Sequence, residues 1–166
     1  MLEPTIAGLQ DKNLNFRGFI FFGLMVTPQG CYLLEYNMRL GDPETQVLMA
    51  LLENNLVDTI MSCLNGEDIE LKFADKKAVC LVMCSGGYPK NYETGLKIKG
   101  LNKLENSTLL FAGATQEGKK MVTSGGRVLS LVDTADTFAE ACKKVYADAF
   151  PIHFDYACYG NDLCQF

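Results

Sequence analysis

A single histidine and no Cys-x-x-Cys pair leave this 166-residue chain short of what a zinc site requires. It also has no basic cluster. Its 15 lysines and arginines are scattered among 20 aspartates and glutamates, for a net charge of −5, whereas a nucleic-acid backbone demands grouped cations. The longest apolar run, Phe19 to Val26, is far too short to span a bilayer. Leu2 to Gln10 carries Glu3 and Pro4 where a secretory signal needs cations. No P-loop or comparable glycine-rich nucleotide loop comes before residue 35. These absences exclude nucleic acid and membrane as expected partners and point to a cytoplasmic location.

What remains is the composition of a globular protein, 48% hydrophobic and 21% charged, long enough for one compact domain or two small ones. Seven cysteines is a high count. Cys31, Cys63, Cys80, Cys84, Cys142, Cys158 and Cys164 mostly have apolar neighbours, so reduced thiols packed as small hydrophobes are expected.

The most informative stretch runs from Leu33 to Gln46. Phe19 to Thr27 and Gly30 to Leu34 read as two strands joined at Pro28-Gln29-Gly30. Alternate residues of a strand share a face, so Glu35, Asn37 and Arg39 are expected to form a polar comb. A carboxylate and an amide oxygen are hard donors suited to Mg2+, and a guanidinium suits phosphate or carboxylate. Gly41 and Pro43 must then break the strand, with Asp42 and Glu44 adding two acids at the turn.

Further along, apolar residues from Val47 to Leu64 predict one helix over 45–64, stopped by Asn65-Gly66. The acidic stretch from Gly66 to Phe73 lacks periodicity and marks a boundary. Lys77 to Cys84, Gly95 to Ile98, Thr108 to Ala112 and Arg127 to Val132 read as strands. Asp136 to Phe150 reads as an amphipathic helix with Phe138, Ala141, Cys142, Val145 and Ala149 inward, capped by Asp133 or Thr134. His153 has no acid or nucleophile fixed beside it by sequence, so a core or interface place is expected. Ser85-Gly86-Gly87 and Ser124-Gly125-Gly126 are two glycine pairs able to present backbone N–H groups to an anion. The second, with Arg127 adjacent, is the better candidate for a substrate phosphate or carboxylate.

Glu35 to Gln46 resembles the metal-binding segment of glycinamide ribonucleotide synthetase, the ATP-grasp ligase of purine biosynthesis. Glu3-Pro4-Thr5, Phe16-Arg17-Gly18, Ser85-Gly86-Gly87-Tyr88-Pro89, Phe111-Ala112-Gly113 and Val122 to Val128 follow in that family's order and approximate spacing. The resemblance covers nearly the whole chain but only the C-terminal part of that enzyme.

The resemblance implies an α+β fold, with residues 1–66 as part of the second lobe of an ATP-grasp fold. Residues 67–166 would be the small β-rich C-terminal domain with one long helix. It implies a ligase reaction in which ATP activates glycine as an acyl phosphate and 5-phosphoribosylamine displaces the phosphate. Glu35 and Asn37 would hold Mg2+ or Mn2+, and Arg39 would steady the γ-phosphate or acyl phosphate. Asp42 and Glu44 would orient the substrate amine, and Arg127 with Gly125 and Gly126 would bind substrate. Related ATP-grasp enzymes place a further metal carboxylate near Gly23, which leaves two protein ligands here. The family also usually has Arg-Lys where this chain has Gly160-Asn161. The missing N-terminal part of the enzyme is an implied partner, without which the chain is expected to be inactive and open to self-association through its uncovered apolar strand. Two rival readings stay open, a non-catalytic interaction or assembly fragment and another ATP-grasp ligase or carboxylase.

Overall fold

The computed structural model describes residues 1–161. They form two compact units, residues 1–45 with 52–73, and residues 46–51 with the chain from Ala74 onward. The fold is α+β.

In the first unit, helix α1 (Leu2–Asp11) precedes the hairpin of β1 (Phe21–Thr27) and β2 (Gly30–Asn37). The strands pair antiparallel from Phe21↔Asn37 to Thr27↔Gly30, with a register irregularity between Gly23 and Leu24. Thr5 Oγ1 and Tyr36 Oη, 2.6 Å apart, tie α1 to β2. Neither strand contains a buried residue, and Val26 is 78% exposed. The apolar strand expected to lie uncovered is half-buried or exposed along its whole length among the described residues. Apolar composition says that a face favours burial, not which segment covers it.

The single helix expected over 45–64 is two helices, α2 (Glu44–Leu51) and α3 (Leu56–Asn65). The break has a definite cause. Leu52 leaves the helix to bridge Phe73, and the Glu53 N–H donates to the Lys72 carbonyl at 2.9 Å. The Asn54 side chain accepts from the Lys72 N–H and donates to the Glu70 carbonyl. Asn55 then caps α3, accepting from the N–H groups of Val57 and Asp58 at 2.9 and 3.3 Å. Residues 70–73, unremarkable in sequence, outcompete helical continuation. Gly66, at φ 74°, ends α3 in the left-handed conformation that favours glycine.

The second unit is built on a three-stranded antiparallel sheet in the order β3 (Lys77–Cys84), β7 (Arg127–Ala135), β4 (Thr108–Phe111). The hairpin β5 (Ala114–Glu117) and β6 (Lys120–Thr123) and the helix α4 (Phe138–Ala149) complete it. Five successive residues of β7, Val128 to Val132, are buried, as expected for a central strand covered on both faces. Leu81, Met83, Leu129, Leu131, Val145 and Phe154 form the core, with Ile98 and Ile152.

Sequence expectations fail here where local pattern is weak. β5 and β6 are too short and polar to register, and Gly95 to Ile98 makes only an isolated bridge, Lys97↔Val122. Thr137, not Asp133 or Thr134, caps α4, because β7 runs on through Ala135; Asp133 instead pairs with Lys144 at 3.2 Å. Phe138 is exposed, as are its neighbours from Asp136 to Glu140, and the buried side of α4 begins at Ala141. His153 points outward, 3.7 Å from Asp155, because Ile152 and Phe154 alternate inward on either side of it.

Cys31, Cys63, Cys84 and Cys158 are free thiols, but Cys142 is disulfide-bonded, against the expectation of a fully reduced set. An apolar neighbourhood in sequence does not reveal whether a second sulfur lies within reach. Cys164 lies outside the described residues.

Candidate functional site

Strand alternation brings Glu35 and Asn37 onto one face of β2, where Asn37 Nδ2 donates to Glu35 Oε1 at 2.8 Å. Gly23 is the cross-strand partner of Glu35, and a Cβ there would lie 2.8 Å from Glu35 Cγ. The missing side chain at Gly23 is thus what lets the Glu35 stem lie across β1. β2 ends at Asn37, so Arg39 sits in the bend beyond it, and its Nη1 donates to the Leu40 carbonyl at 2.9 Å.

The turn after Arg39 is held by its own backbone. The Thr45 N–H donates to the Gly41 carbonyl at 3.0 Å, and the Thr45 hydroxyl donates to the same oxygen. A Cβ at Gly41 would collide with the Glu44 carboxylate and the Phe21 ring, so Glu44 folds back over the turn. Asp42 is exposed in that turn, and Glu44, in the first turn of α2, sits where the helix dipole favours a negative charge. Glu35, Asn37, Arg39, Asp42 and Glu44 all belong to the first unit.

A divalent cation fits this donor set chemically. Among the described residues no group of three or more His, Cys, Asp or Glu side chains could hold a metal by itself. Mg2+ does not need one, because it usually keeps several waters and takes one or two protein oxygens plus substrate phosphate. The exposed Glu35 carboxylate and the adjacent Asn37 amide oxygen supply that number of ligands.

In the second unit the two glycine pairs, distant in sequence, are joined. Ser85, fully buried, donates its N–H to the Gly126 carbonyl at 2.8 Å and its hydroxyl to the Gly125 carbonyl at 2.9 Å. A Cβ on Gly126 would strike the Tyr88 ring and crowd Tyr92. Gly113 packs on Gly125 so closely that neither tolerates a larger residue without movement. Arg127 opens β7 opposite Cys84. Burial pushes the Cys84 thiol pKa up, nearby Cys158 adds to the rise, and Arg127 opposes it. Beside this junction lies a cavity of about 350 Å3 lined by Gly86, Asn91, Tyr92, Glu93, Leu96 and Tyr156. Tyr92 and Tyr156 carry no sequence signal for these roles, since only the fold makes them neighbours of the glycines. Gly160, one of the two residues standing where Arg-Lys is usual, accepts a hydrogen bond from Tyr146 Oη at 2.7 Å.

Residues 78–165 match the family model described as phosphoribosylglycinamide synthetase, C domain, and residues 1–45 match that of the ATP-grasp (A) domain. The chain is 44% identical to a phosphoribosylamine–glycine ligase of Clostridium acetobutylicum over 98% of its length, spanning 39% of that relative. To a phosphoribosylamine–glycine ligase of Fusobacterium nucleatum it is 41% identical, over 98% of this chain and 40% of the relative. The crystal structure of phosphoribosylamine–glycine ligase from Thermotoga maritima superposes with a TM-score of 0.81 at 36% identity, covering 93% of this chain and 39% of that one. The chain therefore spans about two-fifths of the length of these relatives. On the C-domain match and on 44% identity across nearly all of it, the chain belongs to the phosphoribosylglycinamide synthetase family.

Proposed function

We propose that this chain carries the metal-binding hairpin and the C-terminal domain of an ATP-dependent ligase of de novo purine biosynthesis. The reaction joins glycine to 5-phosphoribosylamine and yields glycinamide ribonucleotide, ADP and phosphate. Residues 1–66 serve as the ATP-grasp portion and residues 67–166 as the C-terminal domain. The carrying observation is the contact of Glu35 with Asn37 beside Gly23, a compact oxygen pair on an open strand face.

Glu35 and Asn37 hold Mg2+, for which Mn2+ can substitute. A cation bound there offsets the charge that spreads over the transferring phosphoryl group. Arg39 exchanges its bond to the Leu40 carbonyl for a phosphate oxygen, and a charged acceptor makes that the stronger hydrogen bond. Asp42 and Glu44 orient the attacking amine next to the acyl phosphate formed on glycine. Arg127, Gly125 and Gly126 bind the other substrate.

The enzyme acts in the cytoplasm. The rest of the polypeptide encloses the base and ribose of ATP and covers the exposed β1–β2 hairpin. By itself the chain is inactive, binds Mg-ATP no better than roughly millimolar, about 4 kcal/mol, and self-associates through that hairpin.

The test is Glu35→Gln in the complete ligase that includes this chain. Turnover falls at least about tenfold, or about 1.4 kcal/mol, with a raised Mg2+ requirement. An unchanged Mg2+ dependence of the rate refutes the metal assignment.

A further inference from the structure

We infer that Cys84 and Cys158 close into a reversible disulfide when met by a hydroperoxide, and that closure moves the cavity wall where Tyr156 meets Gly86. The inference concerns thiol chemistry and stands apart from the ligase reading above.

The two cysteines face each other across antiparallel backbone. The Cys84 N–H donates to the Cys158 carbonyl at 2.8 Å, and the Cys158 N–H returns the bond to the Cys84 carbonyl at 2.9 Å. Such a pair holds its Cα atoms about 5.5 Å apart with both side chains on one face, inside the span of about 4.4–6.8 Å that a disulfide needs. Cys158 Sγ donates to the Ser85 carbonyl at 3.8 Å, so its sulfur already leans over the end of β3. Burial raises the Cys84 pKa and Cys158 raises it further, which puts the two sulfurs within electrostatic reach. Both are free thiols, Cys84 half-buried and Cys158 exposed. The core fixes this approach, because Phe154 is fully buried and its carbonyl accepts from the Ala157 N–H at 3.0 Å.

Exposure sets the order of events. The Cys158 thiolate attacks a peroxide oxygen, the O–O bond breaks, and the sulfur becomes a sulfenic acid as the other oxygen leaves as water. The Cys84 thiolate then attacks that sulfur; the S–S bond forms, the S–O bond breaks, and the departing hydroxide takes up a proton. Two thiols and one hydrogen peroxide thus give one disulfide and two waters. Arg127, opposite Cys84 on β7, counters the rise in its pKa and so favours the resolving thiolate. Closure reaches the cavity through the backbone. In a mutually bonded pair the Cβ atoms stand about 5.5 Å apart, and a disulfide draws them to about 3.8 Å. Gly86 and Tyr156 are the next facing pair, Tyr156 fills the space where a Gly86 Cβ would stand, and both line the cavity of about 350 Å3. That contact has no slack, so drawing Cys84 toward Cys158 shifts Gly86 against Tyr156. A bond closed against such resistance is readily reduced again.

The experiment exposes the native chain to hydrogen peroxide, alkylates the remaining thiols and maps the cysteine peptides by mass spectrometry. A linked Cys84–Cys158 peptide should be the main product and should disappear on treatment with dithiothreitol. In Cys158→Ser, a change at an exposed position, Cys84 should stay a thiol. In Cys84→Ser, Cys158 should stop at the sulfenic acid and be captured by dimedone. Spectra of the 15N-labelled chain should show the Gly86 and Tyr156 amides shifting on oxidation and returning on reduction, with no shift in Cys158→Ser. Cys158 found as a sulfinic acid beside a Cys84 that still alkylates, or linked to Cys31, Cys63 or a second copy, would overturn the pairing. So would both thiols surviving while the exposed Cys31 oxidises. A linked peptide with unmoved Gly86 and Tyr156 amides would overturn the coupling to the cavity.

Discussion

Asp148 should be the most sensitive polar position of the second unit. Its carboxylate is 3% exposed on α4 and accepts backbone N–H bonds from Glu105 at 3.0 Å, Asn106 at 2.9 Å and Ser107 at 2.6 Å. Burial alone would raise its pKa, but the N–H groups of Glu105, Ser107 and Asn106 outweigh it and lower the value. In Asp148→Asn one oxygen becomes an NH2 facing donors, and all three bonds lose their charge. Glu105 and Asn106 are exposed, so their freed N–H groups recover water. At about 1 kcal/mol for each bond the loss is about 3 kcal/mol. For a unit of this size that lowers Tm by about 15 °C.

The sign of the pH dependence follows from the lowered value. Asp148 contributes fully above its unfolded pKa of about 4 and loses that contribution as pH falls through the folded value. Urea unfolding of both proteins from pH 7 downward should therefore give a constant gap down to about pH 5 that narrows as the pH falls below about 4. A gap below about 1 kcal/mol at pH 7, or one that does not narrow at all below about pH 4, refutes the reasoning.

Asn55→Ala removes the side chain that caps α3 and should destabilise the first unit by about 1 kcal/mol; loss of helical circular dichroism well below the melting of the second unit is the readout, and an unchanged melt counts against a capping role. Thiol titration of denatured, unreduced protein should find fewer than seven free groups because Cys142 is disulfide-bonded, and a full count of seven contradicts that bond.

Much of the local structure could be read from residues alone. Alternation in Leu33 to Asn37 predicted the shared face that Glu35 and Asn37 occupy, and β3 matches its apolar run from Lys77 to Cys84. Gly66 ends α3 where its position in the pattern says it should. These features depend on neighbours within a few residues, which is the range over which side-chain period and glycine geometry act. The motifs of the candidate site were equally legible, since Glu35-x-Asn37-x-Arg39 and both Ser-Gly-Gly turns are contiguous strings. What the sequence left undecided depended on partners far along the chain. Residues 52–54 had the composition of a helix, and only pairing with 70–73 broke it. The β5–β6 hairpin was invisible because its four-residue strands are defined by pairing rather than by apolar pattern. The joining of the two glycine turns through buried Ser85, and the placing of Tyr156 against Gly86, were likewise decided by tertiary structure. A hydrogen bond or a steric contact between distant residues exists only once the core around Leu81, Leu129 and Phe154 has brought their backbones together.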